Sequence, residues 1–253
     1  MGKIIAIVNQ KGGVAKTTTT INLAAALAAR GKKMLIIDLD PQGNASSGLG
    51  LDRRSIEHCV YDVLINGAPA EAVILPTAYE RLDILPATIQ LAGAEVELVS
   101  AISRENKLRR ALRLIKKVYD FILIDCPPSL GLLTINALSA ADSVLVPLQC
   151  EYYALEGLGQ LLSTYGLVEN NLNPGLAIEG VLLTMYDGRT NLSAQVAEEA
   201  RQYFGDKVYK TIISRSVRLS EAPSFGVPGI YYDSKSRGAG EYLKLAEEFL
   251  AQQ

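Results

Sequence analysis

The feature that most constrains the fold is a turn near the N-terminus, where two adjacent glycines separate a short apolar run from an Ala- and Leu-rich stretch. The run Lys3–Val8 has the length and β-branching of a buried strand, and Thr17–Arg30 has the composition of a helix that stops at Gly31. The turn between them contains the residues Lys11, Gly12, Gly13, Val14, Ala15, Lys16 and Thr17. Glycines in such a turn let backbone N–H groups approach a phosphate closely, and the helix N-terminus adds a positive dipole. The sequence therefore predicts a phosphate-binding loop.

The side chains at the start of the helix indicate which phosphate compound would bind. Lys16 would compensate the charge of the β- and γ-phosphates of ATP, and the hydroxyl of Thr17 would complete the coordination shell of Mg²⁺. Thr18, the next hydroxyl residue, is expected to contact the same nucleotide. A plain glycine turn would not need Lys and Thr at the helix start, so we expect Mg-ATP as the ligand.

The generic phosphate-loop pattern G-x-x-x-x-G-K-[ST] nevertheless fails, because Gln10 and Ala15 occupy its two glycine positions. The pattern that fits is K-G-G-x-x-K-[ST], with a further lysine, Lys11, before the glycines. This loop resembles the deviant Walker A box of the ParA/MinD family of P-loop ATPases. The resemblance implies that Lys11 reaches across a dimer interface to the nucleotide bound by the partner.

Carboxylates follow two further predicted strands. The strand Met34–Ile37 precedes Asp38 and Asp40, and the strand Phe121–Ile124 precedes Asp125. Ligands of doubly wound sheets lie at the carboxyl ends of the strands, so we expect these acids to face the phosphates. The second strand resembles a Walker B strand, in which Asp125 would hold Mg²⁺ through water.

Short apolar runs alternate with amphipathic stretches along the chain. Further strands are predicted at Leu82–Leu85, Ser143–Pro147 and Ile178–Met185. Further helices are predicted at Arg104–Tyr119, Tyr153–Leu167, Asn191–Phe204 and Gly240–Ala251. Strands that alternate with helices favour βαβ units. We therefore predict an α/β fold of the P-loop NTPase type, in which residues 1–253 form a single domain with a mainly parallel, twisted sheet and helices on both faces.

The predicted helix Arg104–Tyr119 is amphipathic and strongly basic. Its apolar face consists of Leu108, Ala111, Leu112, Ile115 and Tyr119. Seven basic residues occupy the rest of the helix. A solvated helix surface is the ordinary explanation of such a face, and we prefer it to a binding surface.

Composition excludes several classes of protein. Apolar residues make up 49% and charged residues 21% of the chain, as in an ordinary globular protein. No run of apolar residues is long enough to span a membrane, and the N-terminus resembles neither a signal peptide nor a myristoylation motif. Three cysteines and one histidine cannot build a disulfide framework, which favours the cytoplasm. His58 and Cys59 are too few ligands for a zinc site.

Charge is distributed unevenly along this chain, whose net charge is −2. Residues 201–237 carry seven Lys or Arg and three acids. Such a basic segment in an acidic protein indicates a surface for an anionic partner.

A closer resemblance extends from the first strand to beyond residue 225. It is carried by the segments VNQKGGVAKTTTTINLAAALA, IDLDPQGNASSGLG, LPATIQLAGAEVEL, ILIDCPPSLGLLTINAL, PLQCEYYALEGLGQLL and RSVRLSEAPSFG. Together they resemble ParA/Soj-type chromosome-partitioning ATPases, and the IDLDPQGN segment and the last two separate this branch from other deviant Walker A proteins.

This resemblance implies a mechanism and a set of partners. ATP would drive formation of a homodimer that binds double-stranded DNA without sequence preference, and a ParB-type centromere-binding protein would stimulate a weak intrinsic ATPase activity. Asp40 matches the residue that positions the attacking water, and Lys11 and Lys16 complete the expected catalytic set. Arg189 and Arg218 match arginines that contact DNA, so the protein would be cytoplasmic and associated with the nucleoid.

The chain departs from the family pattern at the loop and at the base site. Ala15 stands where the family usually has glycine, and a methyl at a positive φ would cost roughly 1–2 kcal/mol. Because the helix is predicted to begin there, we expect a negative φ and a tolerated alanine. Ser214 and Ser216 replace the usual Pro and Asn of the loop that borders the adenine in relatives.

Three other functions are weighed against this one. A MinD-like membrane-associated positioning ATPase would need a basic amphipathic C-terminal helix, whereas Glu241–Gln253 has three acids and one lysine. An iron protein of the nitrogenase type would need paired cysteine ligands, whereas Cys126 and Cys150 each adjoin a predicted strand end. A nucleotide-independent DNA-binding module would not need Lys16 and Thr17 together with the acids described above.

Overall fold

The computed structural model describes residues 2–151 and 156–253, and its centre is a seven-stranded sheet. The strands are β1 (Lys3–Ile7), β2 (Met34–Asp38), β3 (Leu75–Pro76), β4 (Leu82–Leu85), β5 (Phe121–Asp125), β6 (Ser143–Gln149) and β7 (Ala177–Thr184). Their order across the sheet is β3-β4-β2-β5-β1-β6-β7. The neighbouring pairs are parallel apart from β3, which runs antiparallel to β4. The mainly parallel α/β fold predicted from the sequence is confirmed.

Helices connect the strands and cover the sheet. They are α1 (Lys16–Ala28), α2 (Asn44–Gly48), α3 (Ala70–Val73), α4 (Leu91–Glu97), α5 (Lys107–Ile115), α6 (Leu132–Ala140), α7 (Glu156–Asn171), α8 (Asn191–Phe204), α9 (Val217–Glu221), α10 (Gly229–Tyr232) and α11 (Arg237–Ala251). None of these helices of the described chain is long and apolar enough to cross a membrane.

Two apolar clusters lie on opposite faces of the sheet, because successive strand residues point to opposite sides. Ile4 and Ala6 of β1 belong to one cluster, together with buried residues of α5, α6 and α8. Ile5 and Ile7 belong to the other, together with buried residues of α1 and α11. A strand that is buried on both faces needs apolar residues at consecutive positions. This explains the apolar run near the N-terminus that predicts β1.

The predicted elements agree with the structure except at their ends and at one edge. The six predicted strands are found with ends that differ by at most two residues, and the helix Asn191–Phe204 is confirmed at both ends. The edge strand β3 is two residues long and contains a proline, so no periodicity reveals it. The predicted helix Arg104–Tyr119 is α-helical only over Lys107–Ile115. The first residues of the helix predicted at Tyr153–Leu167 lie outside the described residues.

The register of the central strands sets the position of the site. Ile7 of β1 pairs with Asp125 of β5, and Asp38 of β2 pairs with the same residue from the other side. The three strands therefore end at one level. The segments that follow them meet at the carboxyl edge of the sheet, where ligands of such sheets bind.

Candidate nucleotide-binding site

The segment between β1 and α1 forms an open loop that is anchored at both ends. The Asn9 side chain donates from Nδ2 to the Pro147 carbonyl at 2.8 Å and accepts the Lys11 backbone N–H at 3.0 Å. Among the described residues other than the immediate chain neighbours, no heavy atom lies within 4 Å of the positions that a Cβ would occupy on Gly12 and Gly13. The backbone of these two glycines is therefore open to a ligand, as a phosphate cradle requires.

Lys16 is the central cation of the loop. Its side chain is buried, and Nζ donates to the Lys11 carbonyl at 3.0 Å. Burial lowers the pKa of Lys16, while the nearby Asp125, Cys126 and Asp40 act in the opposite direction. A buried ammonium is costly unless an anion compensates its charge. A phosphate bound in the loop would stabilise the charged form of Lys16.

Thr17 and Asp125 converge at the helix start, although 108 residues separate them in sequence. The Thr17 hydroxyl donates to Asp125 Oδ2 at 2.7 Å, and Thr20 donates to Oδ1 at 3.1 Å. Burial, and next the neighbouring Asp38, raise the pKa of Asp125. A hydroxyl and a carboxylate side by side are hard oxygen donors of the kind that Mg²⁺ takes from proteins, so the residues fit this ion.

Asp38 does not face the loop, which corrects the expectation for that residue. Its Oδ2 accepts the backbone N–H of Ser46 at 2.8 Å and the Ser46 hydroxyl at 2.7 Å, and its Oδ1 accepts the Asp40 N–H at 3.3 Å. The side chain is fully buried, and this burial raises its pKa against the hydrogen bonds from Ser46. Asp38 thus ties α2 and the turn after β2 to the sheet.

Asp40 lies on that turn, close enough to Lys16 to affect its pKa. Its side chain is mostly buried, and Oδ1 accepts the Gln42 N–H at 2.9 Å. Among the described residues no other group donates to this carboxylate, which leaves it with free acceptor capacity. The structure therefore separates the two acids that the sequence grouped, and leaves Asp40 beside the loop.

Ala15 has a left-handed backbone, with φ 68° and ψ 32°, so the expectation of a negative φ is wrong. The helix begins one residue later, at Lys16. Val14 is buried, and its carbonyl accepts the hydroxyl of Thr184 at 3.1 Å. Packing against β7 therefore sets the course of the chain into α1, and Ala15 takes a conformation that favours glycine.

A cavity of about 130 Å³ adjoins the left-handed residue, and its lining includes both serines predicted near the base. Ser214 is committed to Glu241, which accepts its N–H at 2.8 Å and its hydroxyl at 2.7 Å. The Ser216 hydroxyl accepts the Leu219 N–H at 3.4 Å and so caps α9. Met185, also with a positive φ, lines the same cavity, and no sequence signal marks it.

Lys11 lies at the rim of the loop and does not reach into it. Its Nζ is 3.8 Å from Glu151 Oε2, and Arg215 contacts the same carboxylate at 3.2 Å. Lys11 therefore contributes its carbonyl to the loop of its own chain, while its ammonium is partly exposed.

The two arginines matched to DNA contacts belong to surface ion pairs. Arg189 makes a bidentate pair with Asp187, at 2.9 and 2.6 Å, and is highly exposed. Arg218 donates to Glu221 at 2.9 Å and lies 3.5 Å from Asp233. Any polyanion that contacts these arginines must compete with carboxylates.

Comparison with known proteins gives matches over the whole chain. A family model described as an AAA domain matches residues 2–178. The chain is 64% identical over 251 residues to the sporulation initiation inhibitor protein Soj of Bacillus subtilis, covering 99% of each. It is 57% identical to the chromosome partitioning protein ParA of Myxococcus xanthus, covering 99% of this chain and 88% of that one.

Solved structures of the same fold include proteins determined with nucleotide. Cobyrinic acid a,c-diamide synthase from Mycobacterium smegmatis, with an ATP analogue and magnesium, has a TM-score of 0.88 and 39% identity, covering 100% of this chain and 96% of that one. The cell division ATPase MinD of Pyrococcus furiosus has a TM-score of 0.83 and 32% identity, covering 100% of both chains.

Proposed function

The chain belongs to the ParA/Soj family of chromosome-partitioning ATPases, and from that premise we propose that it is an ATP-dependent switch for DNA segregation. The observation that carries the proposal is the contact of 2.7 Å between Thr17 and Asp125, next to the buried Lys16. This arrangement provides hydroxyl, carboxylate and ammonium groups at the mouth of an open glycine loop. Those are the groups that Mg-ATP requires.

Mg-ATP is assigned to this loop residue by residue. The backbone of Gly12 to Ala15 would surround the phosphates, and Lys16 would compensate their charge. Thr17 and Asp125 would hold Mg²⁺, and Thr18 would contact the nucleotide beside them. When bound, the ion supplies positive charge close to the phosphate oxygens. The base would lie near Ser214 and Ser216, which line the cavity beside Ala15.

Hydrolysis is assigned to Asp40. Phosphoryl transfer needs little covalent chemistry from the protein, so its rate depends on holding a water in line and on compensating charge. The free acceptor capacity of Asp40 and its closeness to Lys16 suit it to orient that water. Intrinsic turnover is expected to be weak, because Lys11 points to Glu151 and would act only on the nucleotide of a second copy.

The nucleotide state would control dimerisation and DNA binding. ATP would bring two copies together through Lys11, and the dimer would present Arg189 and Arg218 twice to double-stranded DNA, whose phosphates attract them without regard to sequence. A ParB-type partner would stimulate hydrolysis and reset the monomer. The expected location is therefore the nucleoid within the cytoplasm.

The packing of α11 argues against a role of this helix as a membrane anchor. The apolar residues of this C-terminal helix are buried against the core, namely Ala239, Tyr242, Leu245, Ala246 and Phe249. A membrane-binding helix needs a free apolar face. None is left on α11.

Asp40→Ala tests the proposal, with Asp206→Ala as a control at an exposed aspartate remote from the loop. The Asp40 variant is expected to bind ATP, dimerise and stay on DNA, while its hydrolysis falls roughly 10²–10⁴-fold, the range for one positioned acid–base group. Gel filtration with ATP and a phosphate-release assay measure both properties. A monomeric variant, or one with the turnover of the Asp206 control, would contradict the assignment.

A further inference from the structure

A cleft of about 560 Å³ opens at the amino edge of the sheet, on the side opposite to the phosphate loop. Its apolar lining comes from the start of β1, from α5 and from the end of α6, including Ile4, Leu112 and Ala140. Its cationic lining comes from one segment, namely Arg109, Arg110, Arg113, Lys116 and Lys117. We propose that this basic cleft binds a small phosphorylated ligand of about the size of a nucleotide.

The cations of the basic cleft are only partly neutralised. Lys116 donates to Asp142 Oδ1 at 2.5 Å, and the other oxygen of Asp142 accepts the Ile4 N–H at 2.8 Å. Asp142 is the one carboxylate in the described lining of the cleft. No described carboxylate forms an ion pair with the three arginines or with Lys117. Four positive charges therefore remain available to an anion.

Ser139 shows that the inner part of the cleft is polar and unsatisfied. This α6 residue is 1% exposed, and its hydroxyl has no hydrogen-bond partner among the described residues, although it lines the cleft. Buried hydroxyls are almost always hydrogen-bonded in proteins, so the proposal assigns this hydroxyl a ligand partner, which it would reach by rotating about its Cα–Cβ bond toward the cleft. A phosphate oxygen can accept a hydrogen bond from this hydroxyl.

The end of α6 presents fewer free acceptors to the cleft than a helix end usually does. The carbonyls of Leu138 and Ala141 would be free acceptors at the end of a helix. Both accept hydrogen bonds from Nδ2 of Asn173, at 3.0 and 2.7 Å. Asn173 therefore occupies two of the carbonyl acceptors at this end of α6.

Shape and donor type favour a small phosphate compound over other anions. The cleft has the volume of an ordinary small-molecule site, which is about 300–1,000 Å³. Arginine forks match phosphate oxygens in pairs, and three of the cations without a described carboxylate partner are arginines, of which Arg109 also donates from Nη1 to the Leu172 carbonyl at 3.3 Å. A DNA duplex would touch only the exposed rim and could not reach the buried Ser139. The basic residues of the predicted helix Arg104–Tyr119 were interpreted from the sequence as a solvated surface. In the structure, five of them line this cleft.

The test is calorimetric titration of inorganic pyrophosphate into the full chain, with the phosphate loop first loaded with Mg-ADP and the unbound nucleotide removed by gel filtration, because free ADP would compete for the cleft. Arg113→Gln is expected to weaken pyrophosphate binding about tenfold, the value of one charged hydrogen bond. Ser139→Ala is expected to weaken it about threefold to tenfold without lowering the melting temperature, because the hydroxyl bonds to nothing else in the described protein. Lys244→Gln removes one exposed charge from α11 and should leave affinity unchanged.

Three results would overturn the proposal. The first is the absence of pyrophosphate binding to the wild-type chain at millimolar concentration. The second is equal affinity in the Ser139→Ala variant and the wild type, which would limit binding to the rim. The third is loss of duplex DNA binding in Arg113→Gln without any pyrophosphate site, which would make the segment a nucleic-acid surface.

Discussion

Replacing Ala15 by glycine should stabilise the protein, because the structure holds this alanine at φ 68°. A left-handed conformation costs an L-residue with a side chain about 1–2 kcal/mol relative to glycine. Glycine also makes the unfolded chain more flexible, which lowers the free energy of unfolding by about 0.4–1 kcal/mol. The free energy of unfolding should therefore rise by about 0.8 kcal/mol, the difference between the midpoints of these two ranges.

Ala92→Gly is the matched control for this substitution. Ala92 is exposed within the right-handed helix α4, so glycine there brings only the cost in flexibility. The control should lose about 0.5–1 kcal/mol of stability. The two variants carry the same chemical change and differ in the sign of φ.

Thermal unfolding without nucleotide measures both variants, since a bound ligand would add its own stabilisation. A chain of this size shifts by about 2–4 °C per kcal/mol, so Ala15→Gly should melt about 1–4 °C higher and the control lower by a similar amount. ATP affinity should change less than tenfold, because the strain is present with and without nucleotide. If Ala15→Gly lost as much stability as Ala92→Gly, the left-handed assignment would be refuted.

Three further predictions concern the proposed switch. Lys16→Ala should lose ATP-dependent dimerisation while staying folded, because each charged hydrogen bond to phosphate is worth about 1.5–3 kcal/mol; titration with ATP and a melting curve check this. Lys11→Ala should keep ATP affinity but remain monomeric in gel filtration with ATP, and a dimer would exclude its action across the interface. Arg189→Glu or Arg218→Glu should weaken binding to every duplex alike and lower the salt slope by about 1 per contact; unchanged binding in both would exclude these arginines.

Local signals in the sequence were sufficient where contiguous residues make the structure. The strand-to-helix turn, the buried strands and the order of βα units follow from apolar runs and glycines whose spacing is local. The convergence of Thr17 with Asp125 could also be predicted, because parallel strands end at one edge of the sheet. Resemblance to the family added roles for Lys11 and Asp40 that spacing alone does not provide.

The sequence was insufficient where a distant partner decides a local conformation. The helical pattern from Thr17 onward suggested a right-handed Ala15, but Thr184 and the burial of Val14 set that backbone. The sequence predicted that both Asp38 and Asp40 face the phosphates, but Asp38 is instead hydrogen-bonded to Ser46.

By itself, the sequence determined the fold class, the phosphate loop and the family of this protein, because the patterns that identify each of them consist of contiguous residues. Tertiary structure alone decided the handedness of Ala15, the burial of Asp38 against Ser46, and the cleft beside the basic residues of α5. That cavity combines Ile4, Ser139 and the α5 arginines, which lie up to more than 100 residues apart. Packing brings such distant residues together, and no pattern of neighbouring residues predicts which of them will meet.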